Sequence, residues 1–112
     1  MAAYRNNVEL IGNVGADAEM RFTSGQEPVA NIRLATTKTV GRGAEAKDYT
    51  EWHRLVCFGS LAEWAGEYLK KGVQVFAEGE LRTRKWEDKE GKDQYTTEIV
   101  AHDFQLLGKK PS

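Results

Sequence analysis

Apolar and polar residues alternate along most of this chain, and the period changes only once. Val8-Glu9-Leu10-Ile11-Gly12-Asn13-Val14 is short and rich in β-branched residues and predicts a strand that bends at its glycine. Glu19-Met20-Arg21-Phe22 continues it after a kink, and Thr23-Ser24-Gly25-Gln26 forms a turn. Behind Pro28, apolar Ala30, Ile32 and Leu34 alternate with Asn31 and Arg33, the mark of a half-buried strand. Lys38 to Asp48 reads as a mobile polar loop, and Thr50 to Phe58 as a third strand ended by Gly59. The period then becomes helical at Leu61, Trp64, Ala65 and Tyr68. Ser60 and Glu63 have capping-box spacing at the start, and Gly72 reads as the stop. Val73 to Trp86 predicts a long strand broken at Gly79, Glu87 to Gln94 a charged hairpin tip, and Tyr95 to Leu107 the last strand.

Three strands, one helix and two more strands define an all-β class with one helix. The expected fold is the OB-fold, a five-stranded Greek-key barrel with its helix between strands three and four. Glycines at 12, 59 and 79 suit the sharp coiling of such a sheet. With 112 residues the chain holds one core, here assigned to 1–107, and 108–112 reads as a short frayed end. A single cysteine, Cys57, excludes an internal disulfide. The chain shows neither a secretion-like start nor an apolar run of membrane length, so the expected compartment is the cytoplasm. Net charge is −1, which excludes attraction to nucleic acid by bulk charge. Binding of that kind would need locally placed cations and contacts that are not ionic.

Splitting the strands by parity finds such a place, because alternate side chains face opposite sides. Trp52, Arg54, Val56 and Phe58 share one face of the third strand, and Glu51, His53, Leu55 and Cys57 the other. In the fourth strand Arg82, Arg84 and Trp86 share one parity, and Val75, Ala77 and Leu81 the other. Large aromatics beside arginines on a solvent face need a partner. Rings stack on any base and guanidinium groups meet phosphates, at about 1–3 kcal/mol per stacked base. Single strands are favoured, because duplex bases already stack on one another. Trp64 reads as helix packing, and Phe22, Phe76 and Phe104 as core or cross-strand contacts. Arg82, Arg84 and Lys85 form a basic cluster with no acidic neighbour inside it, whereas the rest of the run to Lys92 mixes signs. Cys57 and His53 lack a third catalytic partner, and His53 and His102 lack zinc-ligand spacing, so neither an enzyme nor a metal or cofactor site is expected.

The stretch Thr50-Glu51-Trp52-His53-Arg54-Leu55-Val56-Cys57-Phe58-Gly59 resembles the central segment of bacterial single-stranded DNA-binding proteins. Glu67 to Gly72, Gly79-Glu80-Leu81-Arg82-Thr83-Arg84-Lys85-Trp86, Tyr95 to Glu98, Leu10 to Asn13 and Val29 to Ile32 extend the resemblance from about residue 4 to 107. It implies sequence-independent binding and protection of single-stranded DNA in replication, recombination and repair, near the nucleoid, by a homotetramer. It implies stacking by Trp52, Phe58 and Trp86, and phosphate contacts at Arg54, Arg82, Arg84, Lys85, Lys70, Lys71, Arg21 and Arg5. His53 falls near the subunit interface. Three departures follow from the same comparison. Val40 stands where the family carries a further loop tryptophan, and Ser60 where a lysine is common. The long tail that recruits replication and repair proteins has no counterpart. Alternatives are a primosome-type accessory OB-fold protein, or a protein-interaction module with the aromatic face as its docking surface.

Overall fold

A computed structural model describes residues 3–108. Its strands are β1 (Val8–Val14), β2 (Glu19–Phe22), β3 (Pro28–Val40), β4 (Lys47–Phe58), β5 (Gln74–Glu87) and β6 (Asp93–Leu107), with α1 (Ser60–Tyr68) between β4 and β5. The barrel runs β1-β5-β6-β4-β3 and closes where β1 also pairs with β3, at Asn13↔Ala35 and Val14↔Leu34. β2 pairs with β3 further along, from Asn31 to Pro28, so β1 and β2 are two halves of one broken first strand. Every contact is antiparallel except β4 with β6, which run parallel at Leu55↔Ile99 and Val56↔Val100. This is the five-stranded OB barrel with one helix that the element order predicts.

The alternation seen in the sequence becomes burial. Ala30, Ile32 and Leu34 of β3, Leu55 and Cys57 of β4, and Val75 and Ala77 of β5 fill the interior with Val14 and Ile99. Removing a large side chain of this kind from water contributes about 1.5–3 kcal/mol. Burial pushes the Cys57 thiol up to about 11, so the thiol stays protonated and inert at neutral pH. Backbones approach closely where the barrel turns: a Cβ on Gly12 would lie 2.2 Å from the Ala35 carbonyl oxygen, and one on Gly79 2.1 Å from that of Val100. No helix among the described residues is long and apolar enough to cross a membrane.

The helix plugs one barrel end with Ala62, Ala65 and Leu69, flanked by Leu61 and Trp64. Trp64 stacks on Phe104 with centroids 6.0 Å apart, as a packing residue should.

Several local expectations fail for identifiable reasons. Gly59 is the N-cap and Ser60 already lies in the helix, so no side chain caps it; the backbone N–H of Glu63 donates to the Gly59 carbonyl instead. The helix ends at Tyr68 with Leu69 as its C-cap, and Gly72 lies in the turn beyond. Both ends of the supposed loop from Lys38 to Asp48 are strand: Lys38↔Tyr49, Thr39↔Asp48 and Val40↔Lys47 pair as an arm, and residues 41–46 form its tip. Phe22 is 62% exposed, because β2 runs along β3 outside the closed barrel. Leu81 is 51% exposed, because β5 has left the barrel by then, past a register shift at Glu78/Gly79. Of the frayed end expected at 108–112, all but Gly108 lies outside the described residues.

Candidate nucleic-acid interface

The outward side chains of β3 and β4 meet across their ladder, and the register decides which. Asn31 faces Val56, Arg33 faces Arg54, and Ala35 faces Trp52. Like charges directly opposite one another are destabilising, yet neither arginine has an ion-pair partner among the described residues. They line a groove of 460 Å³ with Ala16, Asp17, Glu19, Arg21, Asn31, Ile32 and Arg84. A second hollow of 300 Å³ adjoins it, lined by Phe22, Phe58, Val56, Arg82 and Glu98 among others. Arg21, Asn31 and Arg84 belong to both, so the two form one trough across the barrel face.

Phe22 and Phe58 line this trough, Trp52 adjoins it through Arg33, and Trp86 stands apart on the β5–β6 arm. Trp52 is 54% exposed. Its ring lies over the bare backbone of Gly15, where a Cβ would come within 2.3 Å of Trp52 Cζ3. The Arg33 guanidinium carbon sits 5.3 Å from the ring centroid. Gly15 itself is tied to the barrel, its N–H donating to the Arg33 carbonyl at 2.9 Å. Phe58 is half-buried at the other end beside exposed Phe22, with Arg82 5.6 Å over its ring. Trp86 is 44% exposed on the β5–β6 arm, and its indole N–H donates to Thr96 Oγ1 at 2.9 Å. That bond fixes the ring's tilt and leaves its outer face to solvent.

The basic residues divide into two kinds. Arg21, Arg33 and Arg54 are exposed and unpaired among the described residues. Arg82 and Arg84 share Glu98: Arg82 Nη2 donates to Oε2 at 2.5 Å and Arg84 Nε to Oε1 at 3.1 Å. Glu98 is 5% exposed. Burial pushes its carboxyl up, but hydrogen bonds and charge from Arg82 and Arg84 outweigh that and hold it below the usual range. Lys85 points to the opposite side of β5 and pairs with Asp93 at 3.2 Å. The cluster that has no acidic residue inside it in sequence therefore has a carboxylate in space for each member, because β6 supplies them.

Lys70 donates to the Gly66 carbonyl at the helix end, and Lys71 is exposed in the following turn, its N–H bonded to Asp17. Arg5 is exposed beside Asn6, whose amide brackets Leu81. None of these lysines, nor Arg5, lines the trough. His53 lies on the other side of β4 from Trp52, half-buried, with Nε2 2.8 Å from Thr36 Oγ1. Sequence reasoning missed Arg33 and Phe22. Arg33 was visible as the polar member of an alternating strand, but only the register sets it opposite Arg54.

Known proteins share both the sequence and the architecture. Single-stranded DNA-binding protein 1 of Xylella fastidiosa (strain 9a5c) is 50% identical over 107 residues, covering 94% of this chain and 79% of that protein. The structure described as the Plasmodium falciparum SSB complex with ssDNA superposes with a TM-score of 0.83 at 30% identity. It covers 96% of this chain and 99% of the other. Residues 5–107, nearly the whole barrel and both arms, match the Single-strand binding protein family, to which this chain belongs.

Proposed function

We propose that this chain binds single-stranded DNA along the trough, without sequence preference and without catalysis. One observation carries the reading: Arg33 and Arg54 stand directly opposite, unpaired, beside an exposed tryptophan. A surface that sets two arginines opposite one another with neither in an ion pair among the described residues, although Asp17 and Glu19 line the same groove, is built for an anion, and one that adds bare rings is built for bases. Trp52, Phe58 and Trp86 stack bases, and Phe22 widens the Phe58 end. Arg21, Arg33 and Arg54 meet phosphates. Lys70, Lys71, Lys85 and Arg5 serve the strand's path beyond the trough. Local placement of this kind overcomes a net charge of −1.

The protein acts as a homo-oligomer, a tetramer, in the cytoplasm, protecting single strands during replication, recombination and repair. Exposed Tyr4, Ile11, Leu81 and Tyr95 support assembly, since large apolar groups in solvent ask for cover. His53, on the side of β4 away from the trough, suits a subunit contact.

Tryptophan fluorescence during titration with an oligothymidine, beside a duplex of equal length, tests the central reading. The single strand alone quenches strongly, and Trp52→Ala removes much of the signal. The three trough arginines on phosphates contribute about −2 to the logarithmic salt slope. An equal response to the duplex would overturn the proposal.

A further inference from the structure

Glu98 is the only buried charged or polar residue among those described, and it lines the trough. Its two oxygens each hold a different arginine, from Arg82 and Arg84 of the neighbouring strand. The register places it there: Arg82 faces Glu98 directly, and Arg84 faces Thr96, one step along the same side. A carboxylate is an unwelcome lining for a channel that only collects phosphates. It repels them, and in a site of low dielectric it does so more strongly than in water.

Resting on the single-strand reading above, we propose that Glu98 sorts the strand's contacts: it makes Arg82 and Arg84 into base-stacking plates and leaves phosphates to Arg21, Arg33 and Arg54. Two cations sharing one anion keep a single net charge, and their charge-assisted hydrogen bonds are already made. What they still present is a planar face. The Arg82 guanidinium carbon already lies over the Phe58 ring, 5.6 Å from its centroid, which puts a guanidinium and a ring side by side where a base can stack. The unpaired arginines Arg21, Arg33 and Arg54 come from β2, β3 and β4 and line the same groove as Arg84. Bases are thereby received at the rings and at the Arg82 and Arg84 planes, and phosphates at Arg21, Arg33 and Arg54. Glu98 touches no DNA in this arrangement and acts as a positioning residue.

Salt dependence separates this division from its opposite, in which Arg82 and Arg84 meet phosphates directly. Binding of an oligothymidine is measured against salt for the unaltered chain, Glu98→Gln, Arg82→Gln and Arg84→Gln. Freeing one or both arginines in Glu98→Gln steepens the slope by about 0.7 to 1.4, at about 0.7 per phosphate gained. Each arginine variant weakens binding several-fold with its slope unchanged. A slope in Glu98→Gln that stays or flattens overturns the proposal, as does a slope shallower by about 0.7 in either arginine variant. Should Glu98→Gln fail to fold, the two arginine variants, altered at exposed positions, decide alone. Failure of the single-strand reading itself has a different signature: the unaltered chain then shows no quenching at any salt.

Discussion

Within the barrel, β5 buries Val75, Ala77 and Gly79 in turn; beyond it, every residue from Leu81 to Glu87 is exposed. β3 and β4 divide in the same way, with buried positions from Val29 to Leu34 and from Leu55 to Cys57, and exposed ones from Thr37 to Val40 and from Lys47 to Trp52. The barrel halves are held by apolar burial. The arms are held by cross-strand polar pairs, Thr37 with Thr50 at 2.9 Å and Thr83 with Thr97 at 2.8 Å. At the β5–β6 tip, Asp88 accepts backbone N–H bonds from Lys92 and Glu90, which help hold its carboxyl below the usual range. The difference teaches where each kind of selection acts. Barrel positions answer to stability, arm and outward positions to the ligand, and the two meet at the rim where Trp52 and Glu98 sit.

Substitution can break that comparison. Leu34→Ala, at a fully buried position, lowers stability by about 2–5 kcal/mol in urea denaturation while leaving single-strand affinity of the folded fraction unchanged. Trp52→Ala does the reverse: about 1–3 kcal/mol of binding is lost, roughly 5- to 150-fold, with little movement of the unfolding midpoint. If Trp52→Ala unfolds the protein as Leu34→Ala does, the division is wrong. Glu98 lies at the junction and is read by pH. Because its folded carboxyl is lowered, its stabilisation is complete above the ordinary carboxylate range and is lost as pH falls through the lowered value. The loss is about 1–2 kcal/mol, charged hydrogen bonds discounted for half-exposed arginines, and unfolding curves of Glu98→Gln lack it. Smallest is Thr83→Val, about 0.2–1 kcal/mol, seen as faster amide exchange confined to the β5–β6 arm.

The fold was legible because burial writes itself as alternation: Ala30, Ile32 and Leu34 could only face a core. The candidate site was half legible. Trp52, Arg54, Arg82, Arg84 and Trp86 stand out by parity within single strands. Arg33 and Glu98 matter only through their cross-strand neighbours, and register cannot be read from one strand alone. Phe22 and Leu81 misled because an apolar side chain looks the same on an arm as in a barrel. Ser60 and Glu63 had the right spacing for a cap, but Gly59 took the cap position.

The barrel is sealed along a parallel seam only Leu55↔Ile99 and Val56↔Val100 wide. Its two sides belong to different hairpins, with α1 and β5 in the chain between them. Hairpins form early from neighbouring residues, whereas distant strands must first overcome the entropy of closing a long loop. During synthesis β6 is the last of these six strands to emerge, and it carries both one side of the seam and the carboxylate that organises the trough. The nascent chain can therefore build the β3–β4 arm and still have neither a closed core nor a finished binding face until β6 arrives.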